Sequence, residues 1–226
     1  MDKSLIRLHS WEDVVNQIAA VLKECENVVG LVSPTQYAYA IPAIVEGLHD
    51  RGLYPTIVYN TNAYERIETL RMVEPYVDVY LPDMKYMDDV LAGRYSRASD
   101  YPAIASAAIK EMVRQKGGGL ICDEEGVAFR GIIVRHLVLP GQMENTKSVL
   151  RWISEELPYN IHVSLMAQYF PNKAELPDEL GRPLCQEEYD EVVRFMEQCG
   201  LDFGWTQQMN SNENYRPSFG KEAIFE

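Results

Sequence analysis

The chain has 226 residues, enough for one large domain or two small ones with a filled core. Its 46% hydrophobic and 24% charged residues are ordinary for a soluble globular protein. A formal net charge of -13 and a pI of about 4.8 argue against a nucleic-acid surface and give no support for docking on anionic lipid.

No apolar run reaches the length of a membrane span, and the opening MDKSLIRLHS lacks the apolar core of a signal peptide, so a cytoplasmic location is expected. Ser10 is placed to cap a first helix, with Asp13 completing a weakened capping box. Val14, Val15, Ile18, Ala19 and Leu22 then recur at helical spacing. VVGLV (Val28–Val32) reads as a short strand and SPTQ as a loop after it. A helix from Ile41 to Asp50 has Gly52 just past its end as a stop. TIVYN (Thr56–Asn60) is a strand, followed by a helix from about Tyr64 to Val73. VDVYL (Val77–Leu81) is a strand ending at Pro82. Asp100 caps a long helix through Ile104, Ala108 and Met112. The glycines Gly117–Gly119 follow that helix rather than precede one, so they end it and form no phosphate loop.

LICDEEGVAFRG reads as a hairpin with Glu125 and Gly126 at the turn. GIIVRHLVLPG (Gly131–Gly141) reads as a strand buried on both faces, of the kind found in parallel sheets, with an arginine and a histidine at its centre. A helix from Thr146 to Leu157, the strand IHVSLMAQY and a helix from Gln186 to Cys199, ended by Gly200, complete the order. The polar, turn-rich stretch NSNENYRPS marks a division into a barrel over 1–208 and a surface tail over 209–226.

Regular alternation of strands and helices means parallel strands with crossover helices, in a barrel or an open doubly wound sheet. Either architecture places its site at the carboxyl ends of the strands. Positions two apart share a strand face. On that parity Asn60 and Asn62 follow Thr56 and Val58. Asp83 and Lys85 follow Val77, Val79 and Leu81 if Pro82 keeps the register. Arg135 lies with Ile133, Leu137 and Leu139, and Gln168 with His162, Ser164 and Met166. Each strand thus offers one face that turns polar near its end, as in a barrel interior opening onto a polar mouth.

A buried arginine needs a carboxylate or an anionic ligand. Asp83, Lys85 and Arg135, with neutral partners Asn60, Asn62 and Gln168, suit a zwitterion, whose carboxylate would meet a cation and whose ammonium would meet Asp83 and the amides. The same residues suit an internal salt-bridge network that closes the barrel. Lys85 as a Schiff-base nucleophile is a third use, with nothing local to activate it. Cys25, Cys122, Cys185 and Cys199 are scattered and have no metal-ligand spacing.

The series YNTNAY (Tyr59–Tyr64), VDVYLPDMK (Val77–Lys85), IVRHLVLPG (Ile133–Gly141) and SLMAQYFP (Ser164–Pro171) resembles the radical S-adenosylmethionine proteins, in the branch of the pyruvate formate-lyase activating enzymes. The resemblance runs from about Trp11 to Gln207 in the family's order. It implies an α/β fold, a partial (β/α)6 TIM-like barrel, here missing its first strand and so exposing an edge at VVGLV that invites association. It also implies S-adenosylmethionine and a 4Fe-4S cluster as cofactors. By position, Asn60 and Thr61 match the pair at the cofactor's amino-acid end, and Asp83 and Lys85 match a D-x-K motif beside its carboxylate. Arg135 matches an arginine near the cofactor, and Leu137 a residue packing the adenine. Gln168 stands where the activases carry a histidine, and Ser33-Pro34-Thr35 departs from a glycine-rich GGEP segment.

The family's cluster is held by a CxxxCxxC loop, and this sequence has none. The resemblance therefore implies no catalytic residue and no metal ligand in this chain, which alone is expected to be inactive. Three readings stay open. The first is a fragment, or a chain with a misplaced start, of an activase-like enzyme that generates a 5′-deoxyadenosyl radical and abstracts a hydrogen from a substrate such as a partner protein. The second is a cluster-less binding or regulatory barrel module, and the third an unrelated lysine-dependent barrel enzyme. The sequence does not specify the oligomeric state.

Overall fold

The computed structural model describes residues 10–23, 27–171 and 176–209. Cys25 lies outside them, as does the expected tail apart from Met209. Helix α1 (Trp11–Val21) starts where the sequence places it: Ser10 Oγ accepts from Asp13 N at 3.1 Å, and Asp13 Oδ2 accepts from Ser10 N at 3.0 Å. It packs on α2 (Ile41–His49) through a small apolar cluster of Val15, Ala40, Ile44 and Leu48.

Among the described residues there are seven strands: β1 (Val28–Val32), β2 (Thr56–Thr61), β3 (Val79–Pro82), β4 (Ile121–Cys122), β5 (Ala128–Leu137), β6 (His162–Met166) and β7 (Gly204–Thr206). The other helices are α3 (Ile67–Val73), α4 (Asp89–Ser96), α5 (Tyr101–Lys116), α6 (Met143–Glu156) and α7 (Gln186–Gln198). The sheet order is β1-β2-β3-β5-β6-β7, with every neighbouring pair parallel, while β4 pairs antiparallel with the start of β5. Among the described residues β1 and β7 each have one neighbour, so the sheet is an unclosed, partial α/β barrel.

Burial alternates along the strands and identifies the two faces. Ile57, Tyr59 and Thr61 of β2, Ile132, Val134 and His136 of β5, and Val163 and Leu165 of β6 are buried on the outer face. The intervening side chains, Asn60, Ile133, Arg135 and Ser164 among them, are only half-buried. The arginine strand is thus fully buried on one face, a correction to the two-sided burial expected from its composition. The concave face of an unclosed barrel stays open along the row that a second layer would cover.

The elements differ from the sequence reading in a few places, each with a local cause. SPTQ opens a 3-10 helix (Pro34–Ala40), entered through Ser33 at φ 51°. Helix α3 begins at Ile67 rather than Tyr64. The Thr61 hydroxyl takes Ala63 N (3.2 Å), Asn62 Oδ1 takes Tyr64 N (3.0 Å), and Glu65 turns inward, so side chains there replace the first helical turn. Asp100 stands at the first cap of α5 without capping it, because its Oδ1 accepts from the Tyr64 hydroxyl at 2.8 Å. Helix α4 and strand β7 are additions. The first buries only Ala92 and the second is three exposed residues, so neither carries a readable period.

Strand β5 starts three residues before Gly131 and ends at Leu137. Gly131, at φ 134°, is where the chain passes from the β4 hairpin into the parallel sheet, and a Cβ there would overlap the Gly119 carbonyl oxygen. No described helix is long and apolar enough to cross a membrane.

Candidate functional site

The register holds through Pro82. Asp83 N donates to Thr61 O and Met84 N to Arg135 O, both at 2.8 Å, so the ladder continues beyond the end of β3. Asp83 then bridges Arg135 across the sheet. This brings Asn60, Asp83, Lys85 and Arg135 together at the carboxyl ends of β2, β3 and β5, on the concave face.

Asp83 lies between two cations. Its Oδ2 accepts from Lys85 Nζ at 2.8 Å, and its Oδ1 is 2.6 Å from Arg135 Nη2. That second contact is an ion pair without hydrogen-bond alignment, because the aligned bond of Nη2 goes to Asn60 Oδ1 at 2.7 Å. Arg135 Nε is buried and has no hydrogen-bond partner among the described residues. Side-chain exposures of 17% for Asp83, 24% for Arg135 and 37% for Lys85 grade the set from floor to rim. Leu137 follows Arg135 on the same face, two residues nearer the rim.

Gln168 lies beyond the end of β6, where its Oε1 accepts from Gln207 Nε2 at 3.1 Å; Gln207 Oε1 in turn accepts from Ala167 N at 2.9 Å. Thr61 is placed apart from Asn60. It is on the outer face, buried, and donates to Glu65 Oε1 at 2.6 Å. The same oxygen accepts from Thr35 (2.7 Å) and the Tyr59 hydroxyl (3.1 Å), so Glu65 ties the segment after β1 to β2. Burial, then the Glu65 carboxylate, pushes the Tyr59 phenol far up.

Sequence reasoning did not foresee the side chains beneath the Asp83–Lys85 turn. Tyr101 of α5, His136 of β5 and Asn145 of α6 are buried and bond there, and the buried Thr146 of α6 bonds His136. Only His136 carried a signal, as a polar residue in an apolar strand.

Among the described residues no three His, Cys, Asp or Glu are grouped to hold a metal. Cys122 is on β4, and Cys185 and Cys199 cap opposite ends of α7, all as free thiols.

No family model matches the chain. An uncharacterized protein of Methanocaldococcus jannaschii is 31% identical over 148 residues, which are 65% of this chain. The chain spans only 39% of that relative's length. Among solved structures, a domain of pyruvate-formate lyase-activating enzyme from Bacteroides vulgatus superposes with a TM-score of 0.57 at 13% identity, over 80% of this chain and 99% of that one. SuiB of Streptococcus suis, bound to S-adenosylmethionine, superposes with a TM-score of 0.58 at 11% identity, over 92% of this chain and 46% of its own. The fold is an unclosed, partial α/β barrel shared with both of these structures. At such identities the likeness is one of fold, and the role of the strand-end charges has to be argued from their own chemistry.

Proposed function

We propose that this chain forms the S-adenosylmethionine-binding part of a radical S-adenosylmethionine enzyme. The observation that carries the reading is the Asn60, Asp83, Lys85 and Arg135 set at the open strand ends of that fold. The cofactor's amino-acid end is a zwitterion, and a row of cation, carboxylate and cation matches it. Lys85, the most exposed of the three, would take the carboxylate, and Asp83 with Asn60 the ammonium. Leu137 would wall the adenine, Gln168 would offer its amide at the rim, and Thr61 would act by holding Glu65 and the end of β2. When bound, the cofactor would supply a sulfonium–carbon bond whose cleavage, with one electron from a separate one-electron reductant, gives a hydrogen-abstracting carbon radical and a thioether.

A 4Fe-4S cluster does not fit the described thiols, which sit on β4 and at the two ends of α7. In the finer form of the reading, the enzyme is an activase acting on a protein partner in the cytoplasm. The likeness to the activating-enzyme domain and the open concave face support that form.

The thiol placement favours a second reading, a module that binds the cofactor without cleaving it. The native mass from source cells separates the two. A mass above 25.8 kDa with a CxxxCxxC peptide supports the enzyme, and a mass equal to this chain supports the module. A Schiff-base lysine fits less well, since Lys85 is ion-paired to Asp83 at a partly exposed rim rather than desolvated in an apolar pocket.

Titration calorimetry tests the binding itself. Arg135→Ala leaves Asp83 with one cation and removes the donor to Asn60, so affinity for S-adenosylmethionine should fall by roughly a hundredfold, about 3 kcal/mol. Unchanged affinity would sink the reading.

A further inference from the structure

The chain leaves the sheet just after Asp83, in a turn that carries Lys85 and whose main chain is held largely by side chains. Asp83 N and Met84 N still bond to neighbouring strands. Beyond them the partners change. The Tyr101 hydroxyl accepts from Lys85 N at 3.0 Å and lies 2.6 Å from Asp83 O, to which it donates. Asn145 Oδ1 accepts from Met87 N and Asn145 Nδ2 donates to Lys85 O, each at 3.0 Å.

His136 Nδ1 is 2.6 Å from Met84 O. A carbonyl only accepts, so Nδ1 carries the proton. Nε2 then accepts from the Thr146 hydroxyl at 2.9 Å. Burial pushes the His136 imidazole down to about 4, which keeps it in this neutral form near neutral pH. None of the four residues is more than 6% exposed.

Four buried polar side chains on three elements carry a desolvation penalty that an apolar floor would avoid. Three of them bond the one turn that bears two of the site's three charges, and Thr146 holds one of those three residues, His136, from behind. We infer that Tyr101, His136, Asn145 and Thr146 are positioning residues that fix Asp83 and Lys85 against Arg135. Their effect on a ligand rests on the binding reading above. A plain role in stability would weaken every ligand alike, whereas positioning acts only on what Asp83 and Lys85 touch.

The experiment compares S-adenosylmethionine with methylthioadenosine, which lacks the amino-acid half, by calorimetry on wild type, Tyr101→Phe, His136→Leu and His136→Asn. Tyr101→Phe and His136→Leu should lose roughly tenfold in S-adenosylmethionine affinity, the loss of about one aligned bond, with methylthioadenosine unchanged. His136→Asn keeps a donor for Met84 O and should stay within about threefold of wild type. Amide exchange at Lys85 and Met87 in the free protein supplies a ligand-independent reading. Local opening in the first two variants at unchanged global stability supports positioning. Equal losses for both ligands, or no loss with no local opening, overturns it. If wild type binds neither ligand, the binding reading fails while the exchange data still decide whether these residues hold the turn.

Discussion

At the mouth of the barrel the charges of Asp83, Lys85 and Arg135 are shared. Asp83 shares its carboxylate between Lys85 and Arg135, and Arg135 Nη2 meets both Asp83 and Asn60. A zwitterion entering such a set exchanges partners rather than creating an unpaired ion. Its ammonium replaces a cation on Asp83 while its carboxylate takes the cation released, which keeps the desolvation penalty low. Behind that set, His136 titrates in a way that can be measured. Burial is the largest influence on it, the Met84 carbonyl opposes, and Lys85 and Asp83 act with opposite signs. Its pKa lies at about 4, against 6.5 for an unburied imidazole. Between those values the unfolded chain binds a proton that the folded chain does not. Stability should therefore fall as pH drops from 6.5 to about 4, by on the order of 3 kcal/mol at full effect. His136→Asn removes the titration, so the difference between variant and wild type in urea unfolding should change across that window. A difference constant with pH would show that His136 does not titrate there. Arg135, Asp83 and Lys85 were legible in the sequence because a charge in an apolar strand needs a partner and strand parity says which neighbours share its face. Tyr101 and Asn145 were not, since their partners are main-chain atoms of a turn 16 to 60 residues away.

At the scale of elements, hydrophobic period set most boundaries and local polar chemistry moved the rest. The strands β1, β2, β3, β5 and β6 were legible because their apolar runs are bounded by turn residues. The start of α3 was not, because Asn62, Thr61 and Glu65 offer the backbone a competing set of bonds that no periodicity registers. Gly131 is the element-level hinge between hairpin and sheet. It takes a positive φ, and its missing side chain lets the Gly119–Leu120 segment cross close above β5. Gly131→Ala combines a disfavoured backbone conformation with a backbone overlap that no side-chain rotation relieves. The loss should exceed about 2 kcal/mol. It should appear first as lost amide protection in the β4–β5 hairpin, before β6 is affected. A variant with wild-type stability would mean that the crossing segment simply moves away.

For the whole molecule, an unclosed sheet lacks the last row of ladder bonds that completes a barrel, so ties between helices and loops contribute more to holding the ends together. Two carboxylates serve as such ties. Glu188 at the start of α7 accepts from both Arg182 nitrogens (2.8 and 2.7 Å) and from Gly141 N (2.8 Å), joining α7 to the segment after β5. Glu111 on α5 accepts from Arg114 and Gln115 and pairs with Arg71 of α3. Arg182 holds the Glu188 carboxyl down to about 2, and Arg114 does the same for Glu111, from an ordinary value of 4.5. For a carboxyl lowered on folding, the stabilisation is fully present above the ordinary value and is lost as pH falls through the folded one. Acid should therefore loosen the molecule in two windows, first through His136 between 6.5 and about 4, then through these glutamates between 4.5 and about 2. Glu188→Gln should be less stable than wild type at pH 7, and its thermal unfolding curve should converge on the wild-type curve only in the lower window. Because Arg182 and Glu188 are partly exposed, added salt should narrow the gap at pH 7. A gap that persists unchanged to pH 2 would mean that the tie acts through the shape of the glutamate side chain rather than its charge.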